Sequence, residues 1–347
     1  MKTSSQKNLK FLFLLVPLLG AMTISGCTTG TSGPTFGNGM VVLNWEPTFS
    51  SVESGDNLQL RVRVQNKGGT EALGVKAILT EISAKDWGIT AVSGMTEEKL
   101  FGDMLPPNPT QNTDGAIKEA YFDAYAPALP EGVTQSYSPS VRVTYGYVTS
   151  AVKQMTLVNE QELRRLQDQG KTLPTGDIQT TAGPLKVTVN TGKFIKQRDV
   201  TAQPYGTSVA SNIFPVTIVI ENTGGGVVSP LGRNDISFSG IITGFGALSG
   251  LTESDYLVYA MIEPPEGISI DSNCLEPNYI YGSGTRSLTG GTIDGYVKLW
   301  KGQTASITCE MEIDDTLAAS KNVNMKIYLA YYYYIDSTTT VTVTGIR

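Results

Sequence analysis

The chain has 347 residues, with 26 Lys and Arg against 32 Asp and Glu, a formal net charge of −6 at pH 7 and no histidine. Without histidine there can be no Ser-His-Asp triad, no Cys-His dyad and no imidazole metal site. The acidic balance argues against nucleic acid, because phosphate binding needs clustered Lys and Arg. We therefore expect no enzymatic activity, no cofactor, no metal site and no nucleic-acid partner.

The first 26 residues have the pattern of a secretory signal peptide. Lysines precede an apolar run over residues 11–24, which is short for a membrane span. The sequence ISGC, ending at Cys27, follows and resembles a lipobox, in which small residues precede a cysteine that receives a diacylglyceryl group. We predict lipidation of Cys27 and an extracytoplasmic chain anchored to the cell membrane. An ordinary cleaved signal and an uncleaved anchor are the alternatives, and both place the chain outside the cytosol.

The next segment and the remaining cysteines are also typical of an exported chain. Residues 27–39 combine the cysteine with a Gly, Ser, Thr and Pro-rich stretch, which predicts a flexible tether. Cys274 and Cys309 are the other two cysteines. An even pair in an exported chain predicts a disulfide, with two free buried thiols as the alternative.

From residue 40 the sequence has the pattern of a series of short antiparallel strands. Residues 58–64 alternate apolar and polar side chains, as a strand with one buried face does. At Asn159 the sequence NEQELRRLQDQ begins, with Glu162 at the spacing of a capping box. A short helix is predicted there, within a linker over residues 159–184. The strand pattern then restarts at Leu185.

Two sequence echoes relate the two halves. VQNKGG at residues 64–69 is matched by IENTGG at residues 220–225, and residues 141–147 are echoed by residues 325–331. In the first echo we expect a strand to end, the Asn side chain to bind local backbone and glycine to accept a positive φ. The predicted turn residues are Asn66, Gly68 and Gly69 in the first half, and Asn222, Gly224 and Gly225 in the second.

This element resembles the V-x-N-x-G strand end of the cell-adhesion-related (CARDB-like) domains of bacterial and archaeal surface proteins. The resemblance implies an all-β fold of two tandem immunoglobulin-like antiparallel β-sandwiches after the lipoprotein signal peptide, over residues 40–158 and 185–347. Insertions at about 83–114, 224–254 and 270–302 depart from the compact family pattern. Loops on a rigid scaffold are where specific binding would lie.

The tetrad of tyrosines at residues 331–334 is the most unusual aromatic feature. In a strand, Tyr331 and Tyr333 point to one face, and Tyr332 and Tyr334 to the other. One pair would fill the core. Tyr332 and Tyr334 are the candidate binding surface for carbohydrate or protein, and cross-strand packing is the alternative.

Together these patterns predict a membrane-anchored extracytoplasmic lipoprotein with a non-catalytic binding or adhesion role through immunoglobulin-like domains. The alternative is a structural subunit of a cell-surface or secretion assembly. The expected partners are the membrane, through the N-terminal lipid, and other envelope proteins or a surface polysaccharide.

Overall fold

A computed structural model of the chain describes residues 39–89, 97–173, 176–197, 212–229, 256–275, 288–314 and 316–346. The predicted signal peptide, Cys27 and nearly all of the tether lie outside these ranges. Within them the protein is built almost entirely of antiparallel strands with one short helix, which confirms the predicted all-β fold class. No helix in these ranges is long and apolar enough to cross a membrane.

The described chain contains twenty strands and one helix. In chain order they are β1 Met40–Pro47, β2 Ser51–Glu53, β3 Asn57–Asn66, β4 Ala72–Thr80, β5 Glu98–Met104, β6 Ile117–Tyr125, β7 Thr134–Tyr137, β8 Ser140–Asn159, α1 Glu160–Asp168, β9 Ile178–Thr180, β10 Leu185–Asn190, β11 Ile195–Gln197, β12 Ile213–Asn222, β13 Val227–Ser229, β14 Leu257–Glu263, β15 Ile268–Asp271, β16 Leu288–Thr289, β17 Ile293–Lys298, β18 Thr304–Ile313, β19 Ser320–Thr338 and β20 Val341–Thr344.

A central sheet organises the molecule. Its main path runs β17-β14-β19-β8-β4-β5, and β9, β11 and β13 also pair with its two middle strands. Two further sheets, β1-β3-β6 and β10-β12-β18-β15-β16, belong to the first and second halves, and a small sheet joins β2, β20 and β7. In β3 every second residue is buried, from Leu58 to Val64. This is the period-two pattern of a strand with one face in the core.

The two longest strands bind the halves together. β8 and β19 pair antiparallel without interruption, from Ser140 opposite Thr338 to Val158 opposite Ser320. The end of β8 then pairs with β11 of the second half, while β20 pairs with β2 and β7 of the first. Each half is thus completed by a strand from the other. Pro34–Arg347 forms one compact unit, and the boundaries at 158 and 185 stay a prediction.

The second half carries its insertion where the first half has an irregular strand. β4 pairs with β8 through a register shift between Leu73 and Lys76, and Gly74 within it has φ 54°. In the second half, β13 and β14 both pair with β19, and residues 230–255 lie between them in sequence. Together β13 and β14 occupy the place of β4. In sequence, the insertion therefore falls at the position where the first half has a bulge that interrupts its hydrogen-bonded ladder.

The predicted helix is present as α1. The Asn159 side chain caps it by accepting a hydrogen bond from the Glu162 amide (2.7 Å). The second bond of a capping box does not form, because the Glu162 carboxylate pairs with Arg165 instead. No residue of α1 is buried, so the helix is a solvated connection between β8 and β9.

The predicted disulfide joins Cys274, just after β15, to Cys309 in β18, with the two Cα atoms 5.0 Å apart. It ties the turn after β15 to β18 in the second-half sheet. Replacing both cysteines with serine should lower the free energy of unfolding by about 3–4 kcal/mol, because the unfolded chain loses a 35-residue loop constraint. Urea denaturation measures this. An unchanged midpoint in the double variant would show that the bond adds no stability.

Candidate binding surface

Four tyrosines form the inner centre of the β8–β19 pair. Tyr147 lies opposite Tyr331, and Tyr145 lies opposite Tyr333. All four are at most 1% exposed, and their ring centroids are 5.8 to 6.3 Å apart around the group. Tyr331 and Tyr333 are therefore the pair of the tetrad that fills the core. We call these four residues the tyrosine quartet.

The quartet hydroxyls anchor the first strand of each half. The Tyr145 hydroxyl accepts a hydrogen bond from the Met40 amide (3.2 Å) at the start of β1. The Tyr331 hydroxyl accepts one from the Leu185 amide (3.3 Å) at the start of β10 and also bonds the Thr149 hydroxyl (2.8 Å). The first two contacts are equivalent, so the halves are related by a local two-fold about the β8–β19 pair.

The other two hydroxyls anchor the predicted turns. The Tyr147 hydroxyl accepts from the Thr70 amide (3.2 Å), and the Tyr333 hydroxyl accepts from the Gly226 amide (2.9 Å). Each amide lies four residues after the motif asparagine of its half. Burial raises the pKa of Tyr333 to about 12, against the opposing effect of its bonds to Gly226 and Asn222. Both turns are thus fixed to the tyrosine quartet.

Asn66 makes three hydrogen bonds from a fully buried position. Its side-chain oxygen accepts from the Gly68 amide (2.9 Å), and its side-chain nitrogen donates to the Thr70 carbonyl (2.9 Å) and the Met104 carbonyl (2.8 Å). The first two bonds close the turn, as the sequence predicted. The third joins the turn to the end of β5, and no signal in the sequence indicated it.

Asn222 repeats this arrangement in the second half. It accepts from the Gly224 amide (3.2 Å) and donates to the Gly226 and Gly302 carbonyls (3.0 Å each). Its oxygen also accepts a hydrogen bond from the Tyr333 hydroxyl (2.8 Å). The motif is therefore a clamp that joins two strand ends, rather than a turn alone.

Space, and not backbone angle, requires glycine at two of the four motif positions, Gly69 and Gly224. We expected positive φ at these positions, but Gly68, Gly69, Gly224 and Gly225 do not have it. A Cβ at Gly69 would lie 2.9 Å from the Ala182 amide nitrogen, and one at Gly224 would overlap the Tyr333 hydroxyl. Gly225 has open space around it. The prediction of positive φ was wrong because the turn is closed by the Asn clamp instead.

The linker segment 182–184 lies between both turns and the tyrosine quartet. The Ala182 carbonyl accepts hydrogen bonds from the Gly69 amide (2.8 Å) and the Tyr147 hydroxyl (2.8 Å). The Pro184 carbonyl accepts from the Gly224 amide (3.0 Å). The end of the predicted linker is therefore part of the packed centre, and it holds the two turns in a fixed relation.

The outer face of the same strands carries the predicted binding residues. Tyr332 and Tyr334 are half-buried. The Arg142 guanidinium lies 4.0 Å from the Tyr334 ring centroid and pairs with Asp336 through two bonds of 2.9 and 3.0 Å. This is the cross-strand packing expected as the alternative, and it leaves part of each ring accessible. Their use in binding stays a prediction.

Further tyrosines, which the sequence did not single out, extend this face. Tyr259 packs against Tyr296 (5.3 Å between centroids) and donates a hydrogen bond to Asp294 (2.6 Å). Burial, followed by the Asp294 bond, raises the pKa of Tyr259. The partly buried Tyr328 and Tyr332 pack against the same apolar cluster. We define the outer aromatic patch as Tyr259, Tyr296, Tyr328, Tyr332 and Tyr334.

The partly exposed tyrosines of the outer aromatic patch, Tyr328, Tyr332 and Tyr334, can bind by stacking and hydrogen bonding, because tyrosine joins a flat apolar ring to a polar tip. An ion pair flanks the patch, with Lys326 Nζ 2.9 Å from a Glu263 oxygen.

In the part of the chain that the structure describes, no group of three or more Cys, Asp or Glu is placed to hold a metal ion.

No protein-family model and no curated protein matches the chain. Among solved structures, the collagen adhesin (CNA) from S. aureus is similar at 12% identity, covering 91% of this chain and 96% of that one with a TM-score of 0.18. The Enterococcus faecalis MSCRAMM ACE, described as binding its ligands by the collagen hug model, is similar at 8% identity over 88% and 95%, with a TM-score of 0.12. At such low TM-scores neither likeness carries an argument about this chain.

Proposed function

We propose that this protein is a membrane-anchored extracytoplasmic lipoprotein with a non-catalytic binding or adhesion role through its immunoglobulin-like fold. The observation that carries the binding role is the outer aromatic patch on the central sheet. Its partly exposed members, Tyr328, Tyr332 and Tyr334, all lie on β19, whose opposite face is packed by Tyr331 and Tyr333.

Rigidity makes this placement suited to recognition. A binding group that is already fixed loses little conformational entropy when a ligand arrives. Tyr332 lies between the buried Tyr331 and Tyr333 in β19, so its backbone is held by the tyrosine quartet. Tyr334 is further held by Arg142. The patch therefore offers aromatic contact area at low entropic cost.

The binding role is tested with envelope fragments prepared from the native host. The probe protein is residues 28–347, which contain the whole compact unit Pro34–Arg347. We expect wild type to co-sediment with the fragments, and Tyr332→Ala with Tyr334→Ala to weaken the association about tenfold, since buried interface tyrosines are common hot spots. The matched control is Tyr121→Ala with Tyr125→Ala, which removes two exposed tyrosines of β6. Equal co-sedimentation of both double variants would refute the assignment to the patch.

The anchor rests on the lipobox ending at Cys27 and has its own test. In the native host, wild type should partition into detergent as a species that begins at Cys27, because diacyl modification gives stable membrane attachment. Cys27→Ala should lose this partitioning. Intact mass spectrometry checks the modification, and a water-soluble wild type with a free N-terminus elsewhere would contradict it.

A further inference from the structure

The turn between β17 and β18 exposes an indole. Leu299 is fully buried, and the next residue, Trp300, is 72% exposed. The chain has three tryptophans, and the other two, Trp45 and Trp87, are 7% and 1% exposed. Trp300 is therefore the tryptophan that a ligand can reach from solvent.

The exposed indole is carried by a turn that is held on several sides. The Trp300 amide donates to the Thr304 carbonyl (2.7 Å), and the Gln303 amide donates to the Trp300 carbonyl (3.0 Å). Asn222 donates from its backbone to the Gln303 carbonyl (2.7 Å) and from its side chain to the Gly302 carbonyl (3.0 Å). The second-half Asn clamp thus fixes the position of Trp300.

The residues at the tip are not those that the turn geometry favours. Lys301 has φ 51° and Gly302 has φ 71°. A two-residue turn with both φ values positive favours Asn-Gly, and a lysine in this region is strained. An exposed tryptophan likewise forgoes the stabilisation of burial. The positive φ of Lys301 and the exposure of Trp300 each reduce the stability of the fold. Two such residues side by side indicate a function at this tip.

We propose that Trp300 and Lys301 form a binding site for a polysaccharide that carries carboxylate groups. The indole would stack on the apolar face of a sugar ring. The Lys301 ammonium, 5.9 Å from the centroid of the Trp300 ring, would meet the carboxylate of that sugar or its neighbour. The exposed side chains of Gln303 and Thr304 can bind hydroxyl groups around the ring. This site rests on the proposed binding role and names a ligand class for it.

The surroundings of Trp300 favour a sugar over a protein partner. Protein hot spots need a ring of contacts that excludes water, whereas Lys301, Gln303 and Thr304 beside Trp300 are polar and exposed. A sugar ring can stack on one indole without such a ring of contacts. Glu221, which pairs with Thr304 across β12 and β18, has its carboxylate 3.9 Å from Lys186 Nζ, and this ion pair reduces its repulsion of an anionic ligand.

The test is a fluorescence titration of residues 28–347 with oligogalacturonate. Because Trp45 and Trp87 are buried, a change in tryptophan emission reports on Trp300. We expect saturable emission changes with oligogalacturonate and much weaker ones with neutral maltotetraose. Trp300→Ala should abolish the signal, and calorimetric affinity should fall about tenfold or more. Leu105→Ala is the control, since Leu105 is 64% exposed beside the first-half Asn clamp.

A second variant separates binding from folding. Lys301→Gly relieves the positive φ, so it should keep or raise the melting temperature while weakening oligogalacturonate binding. An unchanged affinity in this variant, an equal response to maltotetraose, or no response at millimolar oligogalacturonate would overturn the proposal. So would an emission shift produced only by vesicles of anionic phospholipid. If envelope fragments still bind through Tyr332 and Tyr334, the proposed function stands while this ligand assignment fails.

Discussion

Asn66→Ala should lower the free energy of unfolding by about 3–5 kcal/mol, because it leaves buried polar groups without partners. The Gly68 amide loses its acceptor, and the carbonyls of Thr70 and Met104 lose their donor. Asn66 is fully buried, so water cannot replace these bonds without opening the turn. The variant should therefore loosen the junction between β3 and the end of β5.

Urea denaturation measures the free energy of unfolding of Asn66→Ala and of two further variants, Asn222→Ala and Asn66→Asp. Asn222→Ala removes the three equivalent bonds and also the acceptor of the Tyr333 hydroxyl, but Asn222 is half-buried, so water can satisfy some of the freed groups. Its loss should be smaller. Asn66→Asp keeps the acceptor and removes both donors, and should remain strongly destabilised. If Asn66→Ala and Asn222→Ala cost the same small amount, the clamp has no special role in the first half.

The clamp shows how far the sequence predicts local structure. Asn66 with two following glycines indicates a strand end closed by an Asn side chain, and the structure has it. The bond to Met104 joins positions 38 residues apart. Periodicity reports which face of a strand is buried, but it does not report which distant carbonyl meets a given side chain.

The same limit applies to the candidate site. Alternation along β19 was enough to separate Tyr331 and Tyr333 from Tyr332 and Tyr334. It did not predict that Tyr259 and Tyr296, on β14 and β17, would lie beside them. Those neighbours depend on strand order, which short β-patterns specify weakly. The exchange of β20 and the end of β8 between the halves also depends on pairing between distant segments.

Alkali should unfold this protein as the pH rises from about 10 towards 12, because the tyrosine quartet must stay protonated while buried. Burial raises the pKa of Tyr145 and Tyr331 well above the ordinary value and raises that of Tyr147 less. A group with a raised folded pKa contributes stability that is fully present below its unfolded pKa, about 10 for tyrosine. That stability is lost as pH rises toward the folded pKa, since the unfolded chain releases protons that the native state retains.

The size of this effect follows from Tyr333, whose pKa is raised to about 12. A difference of about two pKa units corresponds to about 3 kcal/mol lost between pH 10 and 12 from this residue alone. The other three tyrosines of the quartet add losses of the same sign. The loss from Tyr333 alone is a substantial fraction of the roughly 5–15 kcal/mol by which domains are stable.

Parallel titrations of β-sheet circular dichroism and tyrosinate absorbance measure this loss. Above pH 10 the tyrosines of the quartet should ionise only together with the loss of sheet signal. Tyr333→Phe should unfold with a shallower pH dependence by about one proton. If all tyrosines ionise while the protein retains its sheet signal, the quartet can lose its protons without unfolding, and the prediction is wrong.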